Sequence, residues 1–357
     1  MAILVKPYLG CNLNCKYCYE GAYRSKHEIT ADYDMCKVVA AIETQYSIAQ
    51  KQIDLSNKQN KACKPTADIV LHGGEPLCLP KQDVETILRK SFELSGKSGI
   101  QTNGTLIDED HIELFFKYKT NVGISHDGPG NLSAYRMSSK EADRVSQLMF
   151  DLKEKGLNIS VISVVSKSNA GTFKRQMAYE NWISRLYDAG INGRINPCSS
   201  EPKYDLDEQT LARVYLSLAK NFVDTGMAWH PFTDMSKRLL GESAVCVFMG
   251  CDPFHTDSAT VILGDGTITN CMRTNTGDIL VRDSQKMNIR DEVLQEIPQD
   301  FNGCRGCEFW YACHGGCPMS AIDNDWRNRT IHCLVYKTVF NYYNNIQRSM
   351  GMVRRVK

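Results

Sequence analysis

The sequence predicts an α/β protein, with a partial (β/α)6 barrel in its first half and a smaller cysteine-rich domain after it. Between residues 1 and about 200, short apolar runs alternate with amphipathic stretches, which is the pattern of parallel strands joined by helical crossovers. From Cys246 onward the composition changes, and Cys246, Cys251, Cys271, Cys304, Cys307, Cys313, Cys317 and Cys333 crowd together. Three further cysteines, Cys11, Cys15 and Cys18, open the chain in the spacing C-x3-C-x2-C.

Taken in order, the expected strands are Ile3 to Val5, Ile69 to Leu71, Gly99 to Gln101, Val122 to Ser125, Ile159 to Val165 and Arg194 to Asn196. Most run into polar or glycine-rich loops: His72-Gly73-Gly74-Glu75-Pro76, Thr102-Asn103-Gly104 and His126-Asp127-Gly128-Pro129. Sites form in this way at the carboxyl ends of barrel strands. The stretch from Gln45 to Thr66 reads as a helix end and then a solvated loop. A bridging helix is expected from Asp205 to Gly226, with Asp205 as cap, Glu208 three residues on, and Leu211, Val214, Tyr215, Leu218, Ala219 and Phe222 on one face. Thr260 to Met272 reads as a hairpin of the cysteine-rich domain, turning at Gly264-Asp265-Gly266. A last helix should bury Ile331, Leu334, Val335, Val339, Tyr342 and Ile346, ahead of a solvated tail with Arg354, Arg355 and Lys357. The expected division is a barrel over 1–205, a bridge over 206–245, the cysteine-rich domain over 246–335 and a terminal helix over 336–357.

Composition narrows the function. The 357 residues suffice for one large domain and a smaller one. With 42 basic against 41 acidic side chains there is no excess charge to gather nucleic acid or an anionic membrane. No secretory signal and no apolar run of about 18 residues is present, so a soluble, cytoplasmic protein is expected. Fifteen cysteines in a reducing compartment point to metal ligation rather than disulfides. Cys36, Cys63, Cys78 and Cys198 fit no pattern and read as ordinary thiols.

Cys11, Cys15 and Cys18 supply three thiolates, whereas a cubane iron-sulfur cluster has four irons to ligate. One iron is left open for chemistry. A zinc site is the competing reading, but the next candidate ligands, His27 and Cys36, lie at no usual spacing. In the second loop Glu75 offers a carboxylate that accepts from an ammonium group, and Gly73 and Gly74 would let a ligand approach the backbone.

The cysteine triad, with Tyr17 before its last member, resembles the signature of the radical S-adenosylmethionine (SAM) enzymes, in which SAM chelates the fourth iron. That resemblance implies a TIM-barrel-like partial barrel and several SAM contacts. Gly73, Gly74, Glu75 and Pro76 would bind the methionine amino group, and Gln101 lies in another loop that matches the family. Ser125 and Arg136 would hold the carboxylate, and Asn192 the adenine through its backbone. From Cys251 through Gly266, Cys271, Cys304, Cys307, Cys313 and Cys317 to Cys333, the spacing is similar to the SPASM signature, with Cys246 as an extra ligand. Two auxiliary 4Fe–4S clusters are implied, the first on Cys246, Cys251, Cys271 and Cys317, the second on Cys304, Cys307, Cys313 and Cys333. Two zinc ribbons are the alternative, and His314 reads as a neighbour of the cluster rather than a ligand.

The resemblance covers nearly the whole chain and is to peptide- and protein-modifying maturases. It implies reductive cleavage of SAM to a 5′-deoxyadenosyl radical, removal of a substrate hydrogen, and auxiliary clusters that relay an electron. Anaerobic sulfatase-maturating enzymes carry an aspartate after the cysteine matching Cys271 as general base; here Met272 stands there and cannot take a proton. Asp278 and Asp252 are the substitutes within reach of the sequence. The expected ranking is therefore maturation of a ribosomally made peptide by a thioether or carbon-carbon crosslink, then formylglycine formation, then small-molecule oxidation. Ten residues precede Cys11, so a separate leader-binding protein or the barrel mouth itself would receive the peptide. A flavodoxin- or ferredoxin-type donor would supply electrons. A non-enzymatic metal-binding protein is the reading from another class.

Overall fold

The computed structural model describes residues 2–25, 32–57, 66–242, 246–248, 250–252, 259–273 and 289–351, with the side chains of residues 22, 23, 56, 57 and 246 excepted. His27, Cys63, Asp278, the Cys246 side chain and the basic tail lie outside the described residues. The chain packs as two compact units that interleave along the sequence. One comprises Met1–Ile162, Asp188–Ile191 and Ala259–Arg282; the other comprises Ser163–Tyr187, Asn192–Ser258 and Asp283–Lys357.

In the first unit, β1 (Ala2–Lys6), β2 (Asp68–Leu71), β3 (Ser98–Thr102) and β4 (Thr120–Ser125) pair in parallel in that order, and β5 (Asn158–Val165) follows β4. Ile3, Val5, Ile69, Leu71, Ile100, Val122, Ile124, Ile159 and Val161 are all buried, as expected of a parallel sheet covered by crossover helices. Those crossovers are α1 (Met35–Asn57), α2 (Lys81–Ser95), α3 (Glu109–Lys117) and α4 (Ser139–Glu154). Asp108 and Ser138 cap α3 and α4 by accepting from the N–H groups of His111 and Glu141, while Gly96 ends α2 in the left-handed conformation. The helix end expected in the stretch from Gln45 runs as far as Asn57.

The hairpin expected in the cysteine-rich domain is a correction. Its first strand, β7 (Thr260–Leu263), pairs in parallel with β1 and extends the first unit's sheet, and β8 (Ile268–Thr269) pairs antiparallel with β7. The edge of β1 opposite β2 would otherwise leave its backbone unpaired. Cys271 and Met272 therefore belong to the first unit.

The second unit holds α5 (Phe173–Asp188), β6 (Asn192–Pro197), α6 (Glu208–Thr225), α7 (Phe232–Leu239), α8 (Ile289–Glu296) and α9 (Cys333–Ser349). The cap of α6 is Asp207, which accepts from Thr210 N–H at 2.8 Å; Asp205 instead accepts from Ser200. Its apolar face is the one read from the sequence, and Gly226 stops it. The face of α9 is rotated: Val335, Tyr336, Val339, Phe340 and Tyr343 are buried, whereas Ile331 and Leu334 are exposed. The aromatic rings decide this, since Phe248 meets both Tyr336 and Phe340 edge-on.

Candidate cofactor and cluster sites

The cysteine loop follows β1 and is tied down by its backbone. Lys16 N–H donates to Tyr135 at 2.8 Å, and Cys18 N–H closes a turn on Cys15. Donors also reach the sulfurs: Leu13 N–H lies 3.4 Å from Cys11 Sγ and Arg24 Nη2 3.3 Å from Cys18 Sγ. Hydrogen bonds of this kind suit thiolate ligands of iron. Burial pushes the Cys15 thiol up to about 11 and raises Cys11, protons that a bound cation would release.

The second loop locks against the first. Gly74 N–H donates to Tyr8 O at 3.0 Å and Glu75 N–H to Gly10 O at 2.8 Å. A Cβ on Gly74 would lie 2.2 Å from Gly10 O, and one on Gly73 2.6 Å from Tyr8 O. The missing Cβ atoms of these glycines are thus what lets the two loops meet. Glu75, 1% exposed, accepts from Thr102 Oγ1 at 2.6 Å, Asn103 N–H at 2.7 Å and Leu77 N–H at 3.1 Å, and Pro76 starts the short helical turn that presents Leu77. Burial raises the Glu75 pKa, and those three donors oppose the rise. Three bonds leave room for a further donor on a carboxylate.

Beside it, Gln101 Nε2 donates to Ser125 Oγ at 2.9 Å. Arg136 donates through Nε to Asp127 Oδ2 at 3.2 Å and through Nη2 to Oδ1 at 3.4 Å, and its guanidinium stands 5.4 Å from the Tyr17 ring. Tyr17 OH also donates to Asp127. Nη1 of Arg136 makes no bond within the described residues. Asn192 opens β6 in the second unit.

A charged cluster in the first unit escaped sequence reasoning. Lys6, at the carboxyl end of β1, pairs with Glu20, and its Nζ donates to Met272 O at 3.2 Å. Lys6 and Glu20 are each 1% exposed, and Glu20 Oε2 is buried without a partner. Burial lowers the Lys6 pKa and Glu20 opposes that. The only sequence signal was a lysine ending an apolar strand. Asp252, one substitute considered for the missing aspartate, is fully buried and accepts from Arg290 N–H at 3.3 Å.

In the second unit, Cys304, Cys307, Cys313 and Cys333 line one cavity, together with Arg329 and Lys337. Burial pushes Cys304 up to about 12 and raises Cys313 and Cys333. Four thiols round one space fit a cubane; among the described residues no three His, Cys, Asp or Glu side chains converge as they would on a single ion. Of the other proposed set, Cys251 and Cys317 lie in the second unit, and Cys271, whose Sγ accepts from Arg273 N–H at 3.4 Å, lies in the first. His314 bonds Asp291 at 3.1 Å and Arg238 at 3.1 Å. Cys36 and Cys78 are exposed, and Cys198 is buried.

Residues 5–175 match the family model of the radical SAM superfamily. The chain is 22% identical to a cysteine-type anaerobic sulfatase-maturating enzyme of Clostridium perfringens, over 96% of both chains. The solved structure of native anSMEcpe with bound AdoMet and Cp18Cys peptide superposes with a TM-score of 0.69 at 19% identity, covering 98% of this chain and 99% of that one. SuiB of Streptococcus suis bound to precursor peptide SuiA gives 0.60 at 16% identity, over 93% of this chain and 75% of that one. At such identities the two structures establish a shared fold.

Proposed function

We propose that this chain, whose residues 5–175 match the radical SAM superfamily model, is a maturase that removes a hydrogen atom from a ribosomally made peptide and closes a thioether or carbon-carbon crosslink. The observation that carries the reading is the interlocked pair of loops, in which the three-cysteine loop and Glu75 are joined by Gly74 and Glu75 N–H bonds to Tyr8 and Gly10. SAM, when bound on the open iron and reduced, supplies the 5′-deoxyadenosyl radical. Cys11, Cys15 and Cys18 hold the cluster. Glu75 accepts from the methionine ammonium; Gly73, Gly74 and Pro76 fix its loop; Arg136, aligned by Asp127 and Tyr17, offers Nη1 to the carboxylate beside Ser125 and Gln101. Asn192 contacts the adenine through its backbone.

In this reading Cys246, Cys251, Cys271 and Cys317 ligate one auxiliary cluster and Cys304, Cys307, Cys313 and Cys333 the other. A flavodoxin- or ferredoxin-type donor supplies the electrons, and a separate leader-binding protein or the chain itself presents the peptide. Anaerobic reconstitution should give about twelve irons per chain. Dithionite and SAM should yield 5′-deoxyadenosine, and co-expression with a peptide encoded beside this gene should remove about two mass units from it. Absence of 5′-deoxyadenosine from fully loaded protein would overturn the reading.

Formylglycine formation is the second reading, favoured by the end-to-end match to the sulfatase-maturating enzyme. Met272, in place of the aspartate, ranks it below crosslinking. Fragmentation of the product peptide separates the two, because a crosslink joins two residues and formylglycine alters one.

A further inference from the structure

Arg329 and Lys337 line the cavity of Cys304, Cys307, Cys313 and Cys333, and among the described residues neither pairs with a carboxylate. Arg290 is not part of that lining but donates to the carbonyl of Gly315, which is. It is 0% exposed, and among the described residues its guanidinium donates to backbone carbonyls alone: Trp326 at 2.6 Å, Asn328 at 2.9 Å, Gly316 at 3.1 Å, His314 and Gly315 at 3.3 Å, and Cys251 at 3.5 Å. Two carboxylates stand near; neither bonds the guanidinium among the described residues, and Asp291 acts on it only through space. Asp252 accepts from the Arg290 backbone N–H, and Asp291 bonds His314.

Arg329 repeats the pattern on the cavity wall. Its Nη1 donates to the carbonyls of Gln299 and Gly303, while its Nε is buried without a partner. Lys337, also on the wall, donates to the amide oxygen of Gln299 at 2.5 Å. From the helix packed alongside, Glu208 faces the start of α9, where it accepts from Leu334 N–H at 2.9 Å. Neutral acceptors satisfy hydrogen bonds but do not cancel charge, and a buried charge without a counter-ion costs several kcal/mol.

We propose that this cavity is built as an electron-accepting seat, in which Arg290 and Arg329 are the counter-cations of an anionic four-thiolate cluster and stabilise its reduced form. The inference rests on the cluster reading above and deepens it. An oxidised cubane on four thiolates carries about two net negative charges, and one electron from a one-electron donor raises that to about three, with no bond made or broken. Fixed positive charge in a poorly solvated site favours the more negative state, so the arginines raise the reduction potential. The unpartnered Nε–H of Arg329 adds a hydrogen bond to the centre, which stabilises the same state.

The test uses the full chain, reconstituted anaerobically and titrated potentiometrically with dithionite while each centre is followed by electron paramagnetic resonance. In Arg329→Gln, one auxiliary centre should shift to a more negative midpoint while the other centres stay in place. Arg329→Lys, which keeps the charge but loses the Nε donor, should shift it less. Full iron content with unchanged midpoints in Arg329→Gln would overturn the proposal. Wild-type protein that binds only about four irons would instead sink the auxiliary-cluster reading beneath it. Should Arg329→Gln fail to load, melting of Arg290→Met decides. As a counter-cation, Arg290 should matter more to the loaded chain than to the chelator-treated one, whereas an equal loss in both would make it a clamp for carbonyls and defeat the proposal.

Discussion

In the first unit Lys6 and Arg136 each reach a carboxylate, Glu20 and Asp127, and all four side chains are at most 9% exposed. In the second unit Arg290 is as deeply buried, yet among the described residues it reaches backbone carbonyls alone. Around the amino-terminal cysteine loop the protein thus closes its own charge balance, and what arrives there has to fit a finished electrostatic frame. Round the four-cysteine cavity, among the described residues, the balance is left open on the positive side, as a site does when its anion is supplied from outside. The same contrast holds for the thiols. Three in the first unit leave an iron for a ligand, whereas four line the cavity in the second.

The largest effect that would break this contrast comes from the cysteines themselves. Cys15→Ala should abolish 5′-deoxyadenosine formation and remove about four of about twelve irons, because two thiolates do not hold the SAM-binding cubane. Cys313→Ala should leave SAM cleavage intact and abolish the peptide product. If both variants lost 5′-deoxyadenosine equally, the two regions would not be separable functions.

Next in size is the buried pair. Lys6→Met leaves the Glu20 carboxylate buried beside an apolar chain and should cost about 3–5 kcal/mol of stability in urea titrations. The double variant Lys6→Met/Glu20→Gln should recover most of that loss, since no charge is then stranded. No carboxylate change should rescue Arg290→Met in the same way, because among the described residues none pairs with its guanidinium. Failure of the double variant to recover stability would show that Lys6 acts through its bond to Met272 O rather than through charge.

Much of this frame was legible in the sequence. Alternating apolar runs located the six strands, because a residue that must be buried on a parallel sheet is written directly as Val, Ile or Leu. The loop motifs were legible because their spacing is local. What escaped depends on distance along the chain. The pairing of β7 with β1 joins residues more than 250 positions apart, and a four-residue apolar run carries no information about its partner. Lys6 and Glu20 lie close in sequence, but neither residue type announces burial. Asp205 and Asp207 are two residues apart, and only the geometry shows which one accepts from Thr210. Arg290 reads as a helix-surface residue until the cysteine loops are seen to aim their carbonyls at it.

A pH dependence sharpens the picture of the first unit as a closed frame. His126 is fully buried; its Nδ1 accepts from Gly128 N–H at 3.0 Å, so its Nε2–H donates to Ala142 O at 2.8 Å. A second proton on Nδ1 would face the Gly128 N–H, and burial lowers the pKa to about 4. The folded ring therefore binds fewer protons than the unfolded one between about pH 4 and the ordinary value near 6.5. Its contribution is complete above that range and is lost as pH falls through it, about 3 kcal/mol in all. His126→Gln should flatten this part of the stability-pH curve, and an unchanged slope would assign it to other groups.

The smallest effect is the most useful control. Lys97 and Asp68 form an ion pair at 2.5 Å, but at the amino ends of β3 and β2, with the side chains 41% and 49% exposed. Residues at that end of a parallel sheet serve stability rather than chemistry. Water already solvates both charges, so the pair gains little from contact, and ordering the long lysine side chain offsets part of that gain. Lys97→Met should therefore cost less than about 1 kcal/mol and leave 5′-deoxyadenosine formation unchanged, and the loss should shrink further in added salt. A loss comparable with that of Lys6→Met would mean that any carboxylate pair steadies this unit, wherever it lies. Burial would then no longer explain why Lys6 and Arg136 are paired while Arg290 is not.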